Sequence, residues 1–349
     1  MSSKIKELSI ANFGVLPTME LNNFANINLV IGENGTGKTF LLKSMYASMR
    51  ATEEYKRGDD IRPFQDVLSE KLRWTFQAEK LGDLVSRSST EPLSFRMVYS
   101  EEKEKIEKKI GFQFASSTTS KIVNTLAPSS GRSSNSIFIP AKEVLSLYGI
   151  ILKSREIDRS FGFDDTYYDL AKALRIAPRV GKNYTVFSQS RKKLVDVIDG
   201  KVDFDDEVDK WYYKNKRGQK FSIGVTAEGI KKLSILDRLL GNSYLDSESI
   251  VFIDEADSAL HPDAACHFLD MIEILATGNP NLQFFISSHS YFVIKKLALI
   301  AMKRPGLVKC ISLNKGEKPV VTDLHDGMPD NSIIDTSIKL YEQEVMGAL

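Results

Sequence analysis

A glycine-rich segment between residues 32 and 39, GENGTGKT, offers the clearest chemistry in the sequence. It fits the pattern G-x-x-x-x-G-K-S/T at every position, in which glycines let backbone N–H groups surround a phosphate. The positive end of the helix that follows adds to this attraction. Lys38 is expected to reach the β- and γ-phosphates, and the Thr39 hydroxyl to bind Mg²⁺. The segment predicts a nucleotide site composed of Asn34, Gly35, Thr36, Gly37, Lys38 and Thr39.

Two acidic residues, Asp254 and Glu255, directly follow the apolar run 250–253. Such a run indicates a buried strand, and open α/β sheets bind ligands at the carboxyl ends of their strands. Asp254 is then placed to hold Mg²⁺ through water, and Glu255 to activate the water that attacks the terminal phosphate. Together with the glycine-rich segment, these two acids predict nucleotide hydrolysis.

His289 follows the apolar run 284–286 and lies 35 residues after Asp254. A single histidine after a strand is more often a structural hydrogen-bonding residue. Because the neighbouring strand ends in two acids, we expect His289 to sense the γ-phosphate instead. The predicted catalytic residues are therefore Lys38, Glu255 and His289, and the predicted metal ligands are Thr39 and Asp254.

The elements that must position these residues alternate between strands and helices, which predicts an α/β fold. Branched apolar runs at 4–10 and 27–31 indicate strands, and a helical pattern over 38–49 follows the glycine-rich segment. After residue 220 the chain becomes regular again, with helices expected at 262–275, 291–302 and 333–346. We expect an ATPase core from 1–50 and 221–325, a helical and β insertion over 51–136, a helical insertion with a basic-aromatic hairpin over 137–220, and a C-terminal helix over 326–349.

Composition excludes several classes of protein. The chain has 349 residues, and its 47 Lys and Arg nearly balance its 46 Asp and Glu, so any nucleic-acid surface must be local. Two cysteines, Cys266 and Cys310, cannot form a disulfide framework, and no metal-ligand spacing appears. No secretory signal or membrane-spanning run is expected, so a cytoplasmic location without membrane contact is predicted.

Charge is unevenly distributed in two segments. Residues 172–220 hold 13 Lys and Arg against 7 Asp and Glu, around Trp211, Tyr212 and Tyr213. Either these aromatic and basic residues contact nucleic acid, or they form a solvated hairpin whose aromatics pack inward. Glu and Lys alternate over 101–109, which is most simply a solvated hairpin or helix face.

The order of these motifs resembles the ABC-type ATPase heads of the SMC, RecF and OLD-nuclease branch. It is most similar to the small AAA-family ATPases of the AAA-15 and AAA-21 types found in prokaryotic defence and abortive-infection loci. The segments LSIANFGVL at 8–16, IPAKEVLS at 139–146 and SALHP at 258–262 also look like that branch. The resemblance implies an ABC-type P-loop NTPase head, with helices on both faces of a mixed sheet and an inserted helical subdomain.

In such heads, two subunits sandwich two ATP molecules, and each site is completed by a signature segment of the opposite subunit. The matching segment here is VTAEGIKKL at 225–233, where Gly229 matches the family glycine. Ala227 stands where the family has serine, and Thr226 is a candidate substitute for it. The alternative is a plain helix start with a glycine turn. The resemblance gives no Q-loop glutamine.

The resemblance also implies ATP and Mg²⁺ as cofactors and a homodimer or higher homo-oligomer joined through the ATP sandwich. We expect an ATPase whose nucleotide-gated dimerisation controls an effector subunit, a nuclease or a toxin, in anti-phage defence. The alternative is a DNA-repair or chromosome-maintenance ATPase that binds DNA directly. Nucleic acid and a phage protein are further candidate partners, whereas a transporter motor fits poorly.

Overall fold

The computed structural model describes residues 4–59, 61–101, 106–178, 187, 191–192, 195–196 and 198–347. Its strands are β1 (Lys4–Ala11), β2 (Met19–Asn22), β3 (Ile27–Gly32), β4 (Leu93–Ser100), β5 (Glu107–Phe114), β6 (Asn124–Leu126), β7 (Ser136–Ile139), β8 (Gly200–Asp205), β9 (Lys210–Asn215), β10 (Lys220–Ser222), β11 (Ile250–Ile253), β12 (Gln283–Ser287), β13 (Val308–Leu313) and β14 (Val320–Asp323). Its longer helices are α1 (Lys38–Glu54), α2 (Phe64–Phe76), α3 (Tyr148–Glu156), α4 (Asp165–Arg175), α5 (Glu228–Gly241), α6 (Pro262–Gly278), α7 (Tyr291–Lys303) and α8 (Ser332–Gly347).

A six-stranded sheet in the order β14-β13-β3-β12-β11-β7 forms the centre of the molecule. Its inner strands are parallel, and β14 alone pairs antiparallel with β13. The apolar runs predicted from sequence form β3, β11 and β12, which are buried because helices or other strands cover both faces. The carboxyl ends of these three strands therefore meet at one edge.

This central sheet separates two hydrophobic cores, because successive side chains of each strand point to opposite faces. In β3, Leu29 packs into one core and Val30 into the other. Helices α1 and α2 lie in the core on the Val30 face, and α4 to α7 lie in the core on the Leu29 face. The prediction of a mixed sheet with helices on both faces is thus confirmed. Within the described residues, no helix is long and apolar enough to cross a membrane.

A second sheet, β2-β1-β4-β5-β6, is antiparallel and closes the core that contains α1. Its middle pair joins β1, from the first 50 residues, to β4, from the segment 51–136. Phe13, just after β1, packs its ring edge-on against Phe95 of β4, with ring centroids 6.4 Å apart. The two segments therefore share one core.

After β7, which belongs to the central sheet, the segment 137–220 contains α3, α4, β8 and β9, and β10 completes the small antiparallel sheet β10-β9-β8. Along β9, Trp211 and Tyr213 are buried, whereas Tyr212 is half-buried. The guanidinium of Arg238 lies 5.2 Å from the ring centroid of Trp211. Of the two interpretations of this basic-aromatic segment, the hairpin with inward-packed aromatics describes the structure.

A cluster of buried charges joins the C-terminal half of α1 to α2 and α4. Lys71 of α2 is 7% exposed and forms ion pairs with Glu54 at 2.9 Å, Asp165 at 2.9 Å and Asp169 at 3.1 Å. Asp169 also accepts a 2.8 Å hydrogen bond from the Tyr46 hydroxyl. Burial acts to raise the pKa of Asp169, but Lys71 and Arg50 outweigh it and hold the pKa at about 2.

Candidate nucleotide-binding site

The glycine-rich segment forms a loop between β3 and α1, as its sequence predicts. Gly35 and Gly37 have φ values of 80° and 95°, a left-handed conformation that favours glycine. A Cβ atom on Gly37 would lie 2.7 Å from Leu16 Cδ2, so the Leu16 side chain would have to shift to admit one. Lys38 Nζ donates hydrogen bonds to the carbonyl oxygens of Gly32 and Glu33, each at 2.8 Å. These contacts hold the ammonium group over the loop.

Thr39 and Asp254 meet although they are 215 residues apart in the chain. The Thr39 hydroxyl donates to the two carboxylate oxygens of Asp254, at 2.9 and 3.0 Å. Ser287, at the end of β12, donates to Asp254 Oδ1 at 2.7 Å and accepts from the Glu255 N–H at 2.8 Å. Hydroxyl and carboxylate oxygens are the hard donors that Mg²⁺ prefers. The residues present therefore fit the predicted metal.

Glu255 and His289 line the same cavity as Lys38 and Thr39, which has a volume of about 520 Å³. Asn34, Gly35 and Gly37 of the loop line it as well. The side chains of His289 and Glu255 are 34% and 44% exposed, and His289 Nε2 lies 3.9 Å from Glu255 Oε1. Both side chains can therefore be reached by a ligand that lies on the loop.

The backbone of Glu255 adopts a left-handed conformation, with φ of 46°. A residue other than glycine rarely adopts this conformation unless its surroundings hold it there. Two contacts do so: the Ser287 hydroxyl, which accepts from its N–H, and Lys232, whose Nζ donates to its carbonyl oxygen at 2.6 Å. Lys232 lies on α5 and was not singled out by the sequence, where it resembles a surface lysine.

Two lysines of this region have lowered pKa values. Burial lowers the pKa of Lys38, although Glu255 and Asp254 act to raise it. Burial also lowers the pKa of Lys232, to about 8, against the opposing effect of Asp257, Asp254 and Glu255. Desolvation dominates at both positions, since the charged form loses more hydration than the nearby carboxylates replace.

Gly229 is the second residue of α5 and does not appear among the described residues that line the loop cavity of its own chain. A Cβ atom there would lie 3.1 Å from Leu260 Cδ2, within the segment 258–262. Ala227, at the N-cap position before the helix, provides no side-chain cap, and the Thr226 hydroxyl donates to the Ser222 carbonyl at 3.1 Å. Thr226 is therefore engaged within its own chain.

A smaller cavity of about 350 Å³ continues from Thr39 and Asp254 towards the loop after β7. Because β7 runs parallel beside β11, this loop opens at the same sheet edge. Sequence reasoning did not assign to the site six polar residues that line it: Lys43, Gln77, Lys142, Asp164, Thr166 and Tyr167. Lys43 Nζ and Asp164 Oδ2 form an ion pair of 2.6 Å. Burial raises the pKa of Tyr167 to about 12. Gln77 also lines the larger cavity, and no local pattern marked it as a site residue.

Solved structures of the same fold support this architecture. An SMC head bound to the C-terminal winged-helix domain of ScpA is 13% identical, with a TM-score of 0.55 over 92% of this chain and 99% of that one. An SMC head from Pyrococcus furiosus, bound to the C-terminal domain of ScpA, is 10% identical, with a TM-score of 0.55 over 97% of this chain and 98% of that one. A RecF structure with 15% identity covers 92% of this chain and 98% of that one, but its TM-score of 0.46 is too low to support an argument. At such identities, the likeness concerns the fold alone.

A family model described as "AAA domain, putative AbiEii toxin, Type IV TA system" matches residues 27–295. The matched region contains the glycine-rich loop, Asp254, Glu255 and His289. No functionally curated protein matches the sequence significantly. Since the model covers more than half of the chain and the fold is that of an ABC-type ATPase head, the chain belongs to this family of AAA-domain ATPases.

Proposed function

We propose that the chain binds ATP with Mg²⁺, hydrolyses it, and uses the nucleotide to gate the dimerisation of two heads. One observation supports this most directly: Thr39 and Asp254 share a hydrogen bond beside a cavity that Lys38, Glu255 and His289 also line. These residues come from the ends of three neighbouring strands and provide a cation, a metal-binding pair, a base and a histidine.

Each residue then has a defined task. Lys38 exchanges its contacts with the loop carbonyls for contacts with the terminal phosphates. Thr39 and Asp254 hold Mg²⁺, which neutralises phosphate charge when it is bound. Glu255 accepts a proton from the attacking water, and His289 contacts the γ-phosphate. Lys232 and Ser287 keep the Glu255 backbone in its left-handed conformation.

Substitution Glu255→Gln tests the hydrolytic assignment. The amide keeps the size of the side chain but cannot accept a proton, so hydrolysis should fall by about 10²–10⁴-fold while ATP binding persists. Light scattering should show a dimer that ATP stabilises. Ser287→Ala serves as a comparison that removes hydrogen bonds to the Glu255 N–H and to Asp254 Oδ1 but leaves the base itself in place. Hydrolysis at the wild-type rate in Glu255→Gln would place the base elsewhere.

The proposed dimer requires Gly229 to act on the other subunit's ATP. Substitution Gly229→Asp should leave ATP binding intact but prevent ATP-dependent association with Glu255→Gln protein, since a carboxylate at a helix N-terminus repels phosphate. Gly229→Ala introduces only the contact with Leu260 and should associate more strongly than Gly229→Asp. If Gly229→Asp associates with Glu255→Gln protein as wild type does, the segment 225–233 is an ordinary helix start without a role in the other subunit's site.

We further propose that the dimer controls an effector subunit, a nuclease or a toxin, in anti-phage defence. The family description, "putative AbiEii toxin, Type IV TA system", supports a role within a toxin–antitoxin system. Direct DNA binding is the competing role. However, Trp211 and Tyr213 are buried and cannot stack on bases, which argues against single-strand binding through this hairpin.

Two measurements separate these roles. Purification of the chain at native expression, with and without ATP, should bring a stoichiometric effector protein with it. Fluorescence anisotropy of the ATP-bound Glu255→Gln dimer with duplex and single-stranded DNA tests the competing role. ATP-dependent DNA binding without a co-purifying protein would favour DNA repair or chromosome maintenance.

A further inference from the structure

The C-terminal helix α8 is attached to the rest of the molecule through its first turn. Asn331 Oδ1 accepts a hydrogen bond from the Ile333 N–H at 3.1 Å, and Ile334 is the one buried residue of the helix among those described. Beyond this turn, Ile338, Tyr341 and Val345 are 51%, 68% and 44% exposed. Three turns of helix therefore present apolar side chains to solvent.

These apolar residues follow the spacing of a coiled-coil seam. Ile334, Ile338, Tyr341 and Val345 occupy positions d, a, d and a of two heptads. At 3.6 residues per turn, their side chains lie within about 60° of arc. Leu340, which is 61% exposed, falls at position c and lies outside this seam. A seam of this kind is normally covered by another helix.

The charges beside the seam indicate which helix fits. The flanking e and g positions hold Asp335, Glu342 and Glu344, whereas Lys339 falls at b, on the outer face. In an antiparallel pair of identical helices, e faces e, so Asp335 would meet Glu342; in a parallel pair, g faces e, so Glu342 would face Ser337 and gain no partner of opposite charge. A second copy of this chain is therefore disfavoured, and a helix with Lys or Arg at its flanking positions is favoured.

We propose that the α8 seam is the docking site for an amphipathic helix of a partner protein that carries basic residues beside its own apolar stripe. The inference rests on the proposed control of a partner subunit and assigns the surface that this subunit contacts. Apolar burial supplies the attraction, and the acidic flanks select a basic partner.

A pair of synthetic three-heptad peptides tests the seam on the full chain, without nucleotide. Both peptides carry Ile at a and Leu at d; one has Lys at e and g, and the other has Glu. By fluorescence anisotropy, the Lys peptide should bind at least tenfold more tightly. Ile338→Glu should weaken its binding at least tenfold, whereas Leu340→Glu should not. Reversal of the flanks in Glu342→Lys, Glu344→Lys should shift the preference towards the Glu peptide.

Three results would overturn the proposal: equal affinity for the two peptides, equal effects of Ile338→Glu and Leu340→Glu, or a nucleotide-free dimer that only Ile338→Glu disrupts. The last result would assign the seam to a second copy. Circular dichroism confirms that each variant is folded. ATP hydrolysis, measured in parallel, should be unchanged by Ile338→Glu. Peptide failure with normal hydrolysis contradicts the α8 proposal alone, whereas absent hydrolysis with normal peptide binding contradicts the ATPase proposal alone.

Discussion

The two ends of helix α1 use charge in opposite ways. At its N-terminus, Lys38 contacts two backbone carbonyls and faces an open cavity of about 520 Å³. Towards its C-terminus, Arg50 and Glu54 join a cluster in which Lys71 has three carboxylate partners within 3.1 Å. The cavity beside that cluster is larger, about 590 Å³, yet Arg50 and Lys71 already have carboxylate partners there.

This difference distinguishes the candidate ligand site at the N-terminus of α1 from the structural charge cluster at its C-terminus. A charge that must bind a ligand is kept without a charged partner, so that the ligand becomes its partner. A buried charge with a structural role needs partners within its own chain, because an uncompensated buried charge is strongly destabilising. The comparison predicts that substitutions at the N-terminal end impair binding, whereas those at the C-terminal end impair folding.

The largest effect is expected for Asp169→Asn. Loss of this carboxylate leaves Lys71, Arg50 and the Tyr46 hydroxyl with fewer partners, so the free energy of unfolding should fall by about 3–5 kcal/mol. Urea unfolding measures this change. Asp66→Asn, which breaks the exposed Lys121–Asp66 pair, should alter it by less than about 1 kcal/mol.

The contribution of Asp169 to the stability of the fold depends on pH. Since the pKa of Asp169 is about 2 in the folded chain and about 3.9 in an unfolded chain, its ionised form stabilises the fold above about pH 4. The stability difference between wild type and Asp169→Asn should therefore shrink as the pH falls from about 4 towards 2. A difference that stays constant over this range would contradict the assigned ion pairs.

Lys38→Ala should have the opposite effect to Asp169→Asn, because it should impair ligand binding and leave the stability of the fold nearly unchanged. ATP affinity, measured by calorimetry, should fall at least about 100-fold, or about 3 kcal/mol, because the loop loses the cation that neutralises the terminal phosphates. Thermal stability without nucleotide should change little. Lys109→Ala, at an exposed position of β5, provides the control. Affinity within twofold of wild type would refute the nucleotide site.

Lys232→Met tests the distinction between ligand-binding and structural charges, since this lysine is buried yet lies beside the candidate site. Loss of its hydrogen bond to the Glu255 carbonyl should lower kcat by about tenfold, with ATP affinity unchanged, which corresponds to about 1.4 kcal/mol. Lys232→Arg should restore part of the rate. A Met variant that loses ATP affinity instead would show that Lys232 supports the fold rather than the base.

Sequence alone predicted the parts of the candidate site that local patterns encode. Gly37, Lys38 and Thr39 belong to one contiguous motif, and the apolar run before Asp254 identifies a strand end. The pairs Lys43–Asp164 and Lys232–Glu255 were missed because their partners are far apart in the chain and no periodicity links them.

Sequence patterns also failed to predict which charged residues are buried. The alternating Glu and Lys of 101–109 predicted a solvated hairpin or helix face. The strands β4 and β5 do pair antiparallel there, with Glu107 and Lys109 exposed, but Lys108 is buried and pairs with Glu101 at 3.3 Å. Likewise, Arg50 and Glu53 have the spacing of an exposed helical pair, yet both are buried. Charge patterns report which residues can pair, whereas tertiary packing decides whether water reaches them.

The 215-residue separation of Thr39 and Asp254 also has a consequence for biosynthesis. The glycine-rich loop leaves the ribosome early, but the strands that flank β3, namely β12 and β13, follow some 250 residues later. Contacts between residues so far apart in the sequence form slowly. The apolar strand β3 therefore stays unpaired until β12 and β13 have been synthesised. Nascent chains are therefore expected to require chaperone protection, and nucleotide binding to begin only when synthesis has passed β13. Under the proposed function, ATP binding would then act as a check on completeness, since a chain that ends before β11 lacks Asp254, the partner of Thr39.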